Sequence, residues 1–563
     1  MARSKKRAEP RREPGTPAVS PSPDRLTAFL AKWSRALAVV LIAIGSARIV
    51  ATYTVFNHTV DEAGHMAAGM EWLEKGAYTW EAQHPPLARV SAALGPYLMG
   101  LRGQGTKNTG LESLWKEGVS ILYSGHNYDR ALAMARLGML PYFWIGCLAV
   151  YWWGARYFSP AAGVIALFCF SFIPPILAHA GLTNTDMALT ACFTLAFVAG
   201  MVWLEEPTRK HAVLFGIAGG LMVVSKFSCL AFFPAAVALS LAGYCIKERP
   251  GLGEMMKAAK QRAPTLAMAI GIALLLIWAV YRFSFGPVSP GGVSVPAPEL
   301  FRGIQEVQTH LDRGHAGYLL GETRRTGFWD FYPVAIGVKT PLGLLVLMGI
   351  GLVVVFRKKP APAARLAYVP ALFSLAVLLV GMMSSINIGV RHVLPVYSGI
   401  SLVSAAGALW LWESRRRRKW MWAIPAALVA WLGASSLLAH PDYLPYFNEI
   451  AGSHPENILV DSDLDWGQDL KRLARRLHEV GATSVGFNGF DYADLEKEHG
   501  FPRVHGLDTR GPYVGWNAIS ITCWKEYRVV NWPDEIPPTE RVGKGILLWY
   551  IPPDGRIPPK LSH

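Results

Sequence analysis

YPVAIGVKTPLGLLVLMGIGLVVVF, residues 332–356, carries a single charge, Lys339. A helix needs about 20 largely apolar residues to cross the hydrocarbon core of a bilayer. This run meets that length, and similar blocks recur on both sides of it. About eleven are recognisable by length and apolar fill. Their approximate limits are 36–56, 133–153, 160–178, 185–204, 211–226, 228–246, 264–283, 332–356, 365–384, 392–412 and 420–439. The fifth is short, and its boundary with the sixth is the least distinct. An all-α polytopic membrane bundle is the expected fold class.

Composition agrees. Hydrophobic residues are 52% of the 563 and charged residues 17%, where a soluble chain has about a quarter charged. The net charge of +15 lies mostly beside the spans, as in Arg357-Lys358-Lys359 and in Arg415 to Arg418 with Lys419. That is a topology signal rather than a nucleic-acid footprint, and no zinc-finger spacing or nucleic-acid module accompanies it. No nucleic-acid partner is expected. Five of the six cysteines lie in apolar blocks and Cys523 in the tail, without a CxxC pair. They read as small hydrophobes, not as a disulfide or metal framework.

The first 35 residues are basic and rich in Pro and Ser, which predicts a disordered tail. The block from Ala36 to Phe56 is too long for a signal h-region and reads as an anchor. With the N-terminus inside, the segments 1–35, 205–211, 247–263, 357–364, 413–419 and the turn with Arg156 fall inside, and with them nearly all dense Lys/Arg clusters. Segments 57–132, 284–331 and the tail from 440 then fall outside. The expected organisation is a cytoplasmic tail (1–35), a membrane module (36–440) and a small extracytoplasmic α/β domain (441–563). In that domain, strands are read at Ile458–Val460, Ser484–Phe487, Ala518–Thr522 and Gly545–Ile551, and an amphipathic helix at Leu470–Val480.

The outer segments hold the residues able to do chemistry. Asp61 and Glu62 are adjacent carboxylates just after the first span, and His65 is one helical turn from Asp61. Thr59 and Glu62 also form a T-x-x-E capping box, so cap and catalyst both stand as readings. His84-Pro85-Pro86-Leu87 pins an extended backbone before an apolar helix. Asp186 opens the fourth span, where it or Asn184 suits an N-cap. Arg48, Lys226, Lys339 and Arg391, with His392 beside it, sit within spans or at their outer ends. Positive-inside topology does not place charges there, and intramembrane cations face the bundle interior or a pathway. A cluster of them facing outward suits a lipid-linked phosphate. Asp461, Asp463 and Asp465 alternate like a calcium loop, but Trp466 replaces its Gly and Arg472 its Glu. A strand end running into a helix capped by Asp465 fits that stretch.

Five motifs in order resemble bacterial members of the protein O-mannosyltransferase family, in the GT-C class of membrane glycosyltransferases. They are Asp61-Glu62 followed by His84-Pro85-Pro86-Leu87; FYPVAIGVKTP (331–341); NIGVRHVLP (387–395); HPDYLPYFNE (440–449); and DSDLDWGQDL (461–470). The resemblance covers nearly everything from residue 36 onward, without the large sugar-binding domain inserted in the eukaryotic enzymes. It implies an inverting transfer of sugar from a polyprenyl-phosphate donor to a hydroxyl on protein, lipid or envelope glycan, at the outer face of a bacterial inner membrane. By resemblance Asp61 is the general base, Glu62 and His65 position it, and Asp186 holds the acceptor or a metal. Lys226, Lys339, Arg391 and His392 would meet the phosphate, with Arg48 and His84 as further substrate contacts. Some GT-C relatives bind a divalent metal and others do not, so the resemblance implies no certain cofactor; Asp61, Glu62 and His65 are the candidate ligands if one binds. The rival readings are a polyprenyl-lipid flippase without transferase activity and a scaffold with a degenerate site.

Overall fold

The computed structural model describes residues 24–125, 127–357, 366–415 and 419–554. The tail before residue 24, Lys358-Lys359 and Arg416 to Arg418 lie outside the described residues.

Apolar blocks without internal breakers become helices. Five are long and apolar enough to cross a membrane: Tyr128–Tyr157, Asp186–Glu205, Cys229–Glu248, Leu252–Val280 and Trp420–Leu438. Counting each of three bent pairs as one span raises the number to eight. The chain therefore reads as a multi-pass membrane protein. Helices Arg209–Val223, Val369–Met382 and Val396–Ser414 also coincide with predicted spans. They fall short of the same test of length and apolarity, so the eleven predicted spans reduce to eight by that measure among the described residues.

Two sequence readings change here. Arg25–Lys32, within the segment read as disordered, is a helix bent 74° against Ser34–Val50. Asp24, one residue before it, pairs with Arg415 and accepts the Trp412 indole N–H at 2.7 Å. The block 332–356 is not one straight span. It breaks at Thr340-Pro341 into Phe331–Lys339 and Leu342–Val355, bent by 117°. Pro341 supplies no N–H and cannot continue the helix. The carbonyls freed at the break are taken by Asn448, whose side-chain amide donates to Gly337 (2.6 Å) and Thr340 (2.7 Å) and whose backbone N–H donates to Val338 (2.8 Å).

Residues 484–551 form a five-stranded mixed sheet. Its order is Arg503–His505, Ser484–Asn488, Gly515–Ser520, Ile546–Ile551, Glu540–Val542. The first three strands are parallel and the last two join antiparallel. The amphipathic helix is Leu470–Glu479, burying Leu470, Leu473 and Leu477 against the sheet. Ile458–Val460 is not a strand. Short 3-10 turns flank it, and its buried apolar side chains pack without a ladder.

The 461–469 segment joins this unit to the bundle, and its acidic residues serve separate partners. Asp463 accepts the Val390 N–H at 3.1 Å. Asp465 accepts the Ser520 hydroxyl and the Gly467 N–H, and burial pushes its carboxyl up to about 7. The N-cap position of the helix is Asp469, not Asp465. Asp469 spends its carboxylate on the backbone N–H groups of Lys544 and Gly545, each at 3.0 Å.

Candidate active site

A cavity of about 960 Å³ opens where the predicted outer segments meet. Its walls come from residues 60–115, 226–232, 304–315, 332, 380–393 and 461–527. By the charge count these are outer segments and the outer ends of spans.

Asp61 lies in the first turn of the Val60–Lys75 helix. Its side chain is 27% exposed, against 1% for both Glu62 and Asp186. It is the carboxylate of the three that a substrate can reach. Helix spacing puts His65 on the same wall, and both residues line the cavity. His65 Nδ1 accepts from Arg89 Nε at 3.0 Å, which leaves the ring proton on Nε2. Burial and the Arg89 charge hold its pKa well below the usual histidine value, so the ring is neutral.

Arg89 was not singled out from sequence, yet it organises this wall. Its guanidinium pairs with Glu81, donates to the Tyr78 hydroxyl at 3.0 Å and lies 3.2 Å from His84 Nδ1. It thereby sets His84 edge-on to His65, with ring centroids 5.0 Å apart. His-Pro-Pro acts as a helix start, with Pro86 opening Pro86–Leu98. The available signal was a lone cation within that apolar helix.

The cationic wall is built from two distant segments. Lys226 Nζ meets Asp186 Oδ1 at 2.5 Å. Arg391 Nη1 meets Asp61 Oδ2 at 3.2 Å and Asp186 Oδ2 at 3.7 Å. Arg391 Nε donates to Ser462 Oγ at 3.0 Å, and the guanidinium lies 4.0 Å from the Trp466 ring centroid. Lys226, Arg391 and His392 all line the cavity. Asp186 itself lies behind them, buried, as the counter-charge that aligns two of them.

Three expected site residues serve elsewhere. Glu62 forms a fully buried pair with Arg136, at 2.9 and 2.8 Å, and accepts the N–H groups of Thr59 (2.8 Å) and Thr183 (3.0 Å). Burial pushes its pKa up, but these donors outweigh it and hold the carboxylate below its ordinary value. The capping reading of Glu62 is the one the geometry supports. Breaking a buried pair strands one charge and costs about 3–5 kcal/mol. Glu62→Ala is expected to lose that much, read as a lowered unfolding midpoint in detergent; an unchanged midpoint would refute the assignment.

Lys339 does not reach the cavity. It ends the Phe331–Lys339 helix and donates to the backbone carbonyls of Leu444 (2.7 Å) and Asp463. The helix break turned it toward the tail. Lys339→Met is expected to lower thermal stability while leaving donor affinity within about twofold, because a severed pair of carbonyl contacts acts on folding. A weakened donor affinity in a stable variant would return it to the site.

Arg48 is likewise remote from the lining. It sits 4.9 and 5.3 Å from the Phe172 and Tyr443 ring centroids and donates to the Ser436 carbonyl at 2.6 Å. That carbonyl belongs to the last turn of Ala423–Leu438, the end of a helix that favours a cation.

With Glu62 engaged, Asp61, Glu62 and His65 do not converge on one point. Among the described residues no group of three or more His, Cys, Asp or Glu side chains is placed to hold a metal ion.

No family model and no curated protein matches the chain. Solved structures do. ArnT from Cupriavidus metallidurans bound to undecaprenyl phosphate is similar at 13% identity and TM-score 0.50, covering 91% of this chain and 97% of its own. The archaeal oligosaccharyltransferase AglB from Archaeoglobus fulgidus, in complex with an inhibitory peptide and a dolichol-phosphate, aligns at 11% identity and TM-score 0.45 over 87% of this chain and 70% of its own. The ArnT likeness shows a shared fold.

Proposed function

We propose that the protein is an inverting glycosyltransferase that moves a sugar from a polyprenyl-phosphate donor to an acceptor hydroxyl at the outer face of a bacterial cytoplasmic membrane. One observation carries the reading. One cavity places a reachable carboxylate, Asp61, beside the Lys226 and Arg391 cations, with His392 next to them. Inversion in one step needs those two parts and no protein nucleophile.

In this reading Asp61 accepts the proton of the acceptor hydroxyl. The freed oxygen attacks the anomeric carbon from the face opposite the phosphate. The bond from that carbon to the phosphate oxygen breaks, and its electron pair leaves on the phosphate. The Lys226 and Arg391 charges offset the charge that grows there, His392 lines the wall beside them, and Asp186 keeps the two cations in place. Leu230, Phe232, Val380 and Met383 supply apolar lining beside the cations, a surface suited to the prenyl chain. The structural neighbour ArnT was bound to undecaprenyl phosphate, which agrees with that use of the cavity.

The same reading includes eleven crossings, with Arg209–Val223, Val369–Met382 and Val396–Ser414 completing the bundle. The N-terminus is inside and the C-terminal sheet forms an extracytoplasmic domain over the site. Purified protein is to be given a panel of polyprenyl-phosphate sugars. Release of polyprenyl phosphate with transfer to an acceptor supports the proposal. Lipid movement across vesicles without any release would support the flippase instead.

A further inference from the structure

The residues that lead into Asp61 are tied to the C-terminal part of the chain. Asn57 donates its side-chain amide to the Gly467 carbonyl at 2.6 Å and accepts the Leu470 N–H at 2.8 Å. The Val60 N–H donates to the Trp466 carbonyl at 3.3 Å. Between them stands His58, three residues before Asp61 and buried. Its backbone N–H donates to the Tyr128 hydroxyl oxygen at 2.9 Å, and its Nδ1 lies 2.7 Å from the same oxygen. The hydroxyl proton therefore goes to Nδ1, and the ring proton stays on Nε2. That N–H meets Asp491 Oδ1 at 3.3 Å.

Asp491 gathers further N–H groups. It meets His499 Nε2 at 2.7 Å through Oδ2 and accepts the backbone N–H groups of Tyr492 (2.6 Å) and Ala493 (2.8 Å) on Oδ1. Its side chain is 3% exposed, and those of His58 and His499 are 3% and 2%. Phe490 and Tyr492, its neighbours in sequence, line the cavity. One buried carboxylate thus ties the loop on this wall to the stretch that starts the helix of Asp61. The sheet unit has an apolar core of its own, with Leu470, Leu473, Leu477, Val485 and Leu548. A buried charged network adds little net stability beside such a core, but it fixes geometry.

We propose that Asp491 is a positioning residue for the transfer. Acting through His58, it sets the first turn of the Val60–Lys75 helix and with it the angle at which Asp61 meets the acceptor hydroxyl. The C-terminal sheet is then a working part of the site and not an appended domain. This inference rests on the transferase reading and deepens it. Asp61 is the second residue of its helix, so a slack entry moves its carboxylate directly. Lys226 and Arg391 have separate anchors in Asp186 and Ser462. The effect falls on the chemical step and spares donor binding.

The test uses the purified full-length protein with a panel of polyprenyl-phosphate sugars. The rate is expressed per donor-binding molecule, so that unfolded protein does not enter it. Asp491→Asn keeps the shape, removes the charge and sets an amide against N–H donors. It should lower kcat about ten- to a hundredfold, the scale of a displacement of about 1 Å at the reacting groups, with donor KM unchanged. His58→Leu should do the same. His58→Gln, whose amide N–H reaches as far as the imidazole Nε2, should recover most of the loss. If Asp491→Asn does not fold, the two His58 variants carry the comparison alone. A wild-type kcat per donor-binding molecule in His58→Leu overturns the proposal. So does a His58→Gln variant as impaired as His58→Leu, or a loss that appears in donor KM alone. Each of these results leaves the transferase standing. A wild-type protein that releases polyprenyl phosphate from no donor takes down the transferase reading, and this proposal with it.

Discussion

Asp61→Asn is expected to abolish sugar transfer while the protein still folds and still binds donor. The substitution keeps the shape of the side chain and removes its capacity to take a proton. Loss of a general base costs about 10²–10⁴ in rate. The geometry favours a clean outcome, because Asp61 lies at the cavity wall and makes one ion pair, with Arg391 at 3.2 Å. Arg391 keeps Asp186 as a second carboxylate when that pair is lost. Folding therefore has little reason to fail. The readouts are polyprenyl phosphate release for turnover and ligand-induced thermal shift for donor binding. Normal turnover in the variant would remove Asp61 from the mechanism, whatever else the site does.

Arg391→Met carries the second large effect. The side chain touches Asp61, Asp186 and Ser462 and stacks on Trp466. It thus joins the base, the cationic wall and the segment that anchors the C-terminal sheet. Removing one preorganised donor from a developing oxyanion costs about 10²–10³ in kcat. Here the loss should fall on donor KM as well, since the phosphate meets the same group before and after the bond breaks. Arg391→Lys is expected to recover only part. An ammonium keeps the charge but cannot fork between a carboxylate and a hydroxyl as the planar guanidinium does. Full activity in Arg391→Met would mean that Lys226 and His392 suffice for the phosphate.

The two variants separate the halves of the reaction. Asp61→Asn should leave donor KM near that of the wild type, whereas Arg391→Met should raise it. If both behaved alike, base and phosphate contacts could not be the separate groups proposed here.

Local sequence decided the helices and little of the site. Apolar runs of spanning length are visible because hydrophobic burial depends on each segment's own side chains. The capping box was visible for the same reason, and the Thr59 N–H does bond the Glu62 carboxylate. The adjacency of Asp61 to Glu62 could not show that one faces a cavity and the other Arg136, seventy-four residues away in sequence. Cations in apolar blocks all gave one signal, and it stood for two fates. Lys226 and Arg391 turn to the cavity, while Lys339 and Arg48 are consumed by carbonyls from the tail and the last helix. The difference lies in partners more than a hundred residues distant, which only packing brings near. Apolar run lengths alone were enough to show that this chain builds a multi-pass membrane bundle. Tertiary structure alone decided which charges are spent on folding and which are left for a substrate, because apolar periodicity is a local property and charge pairing is not.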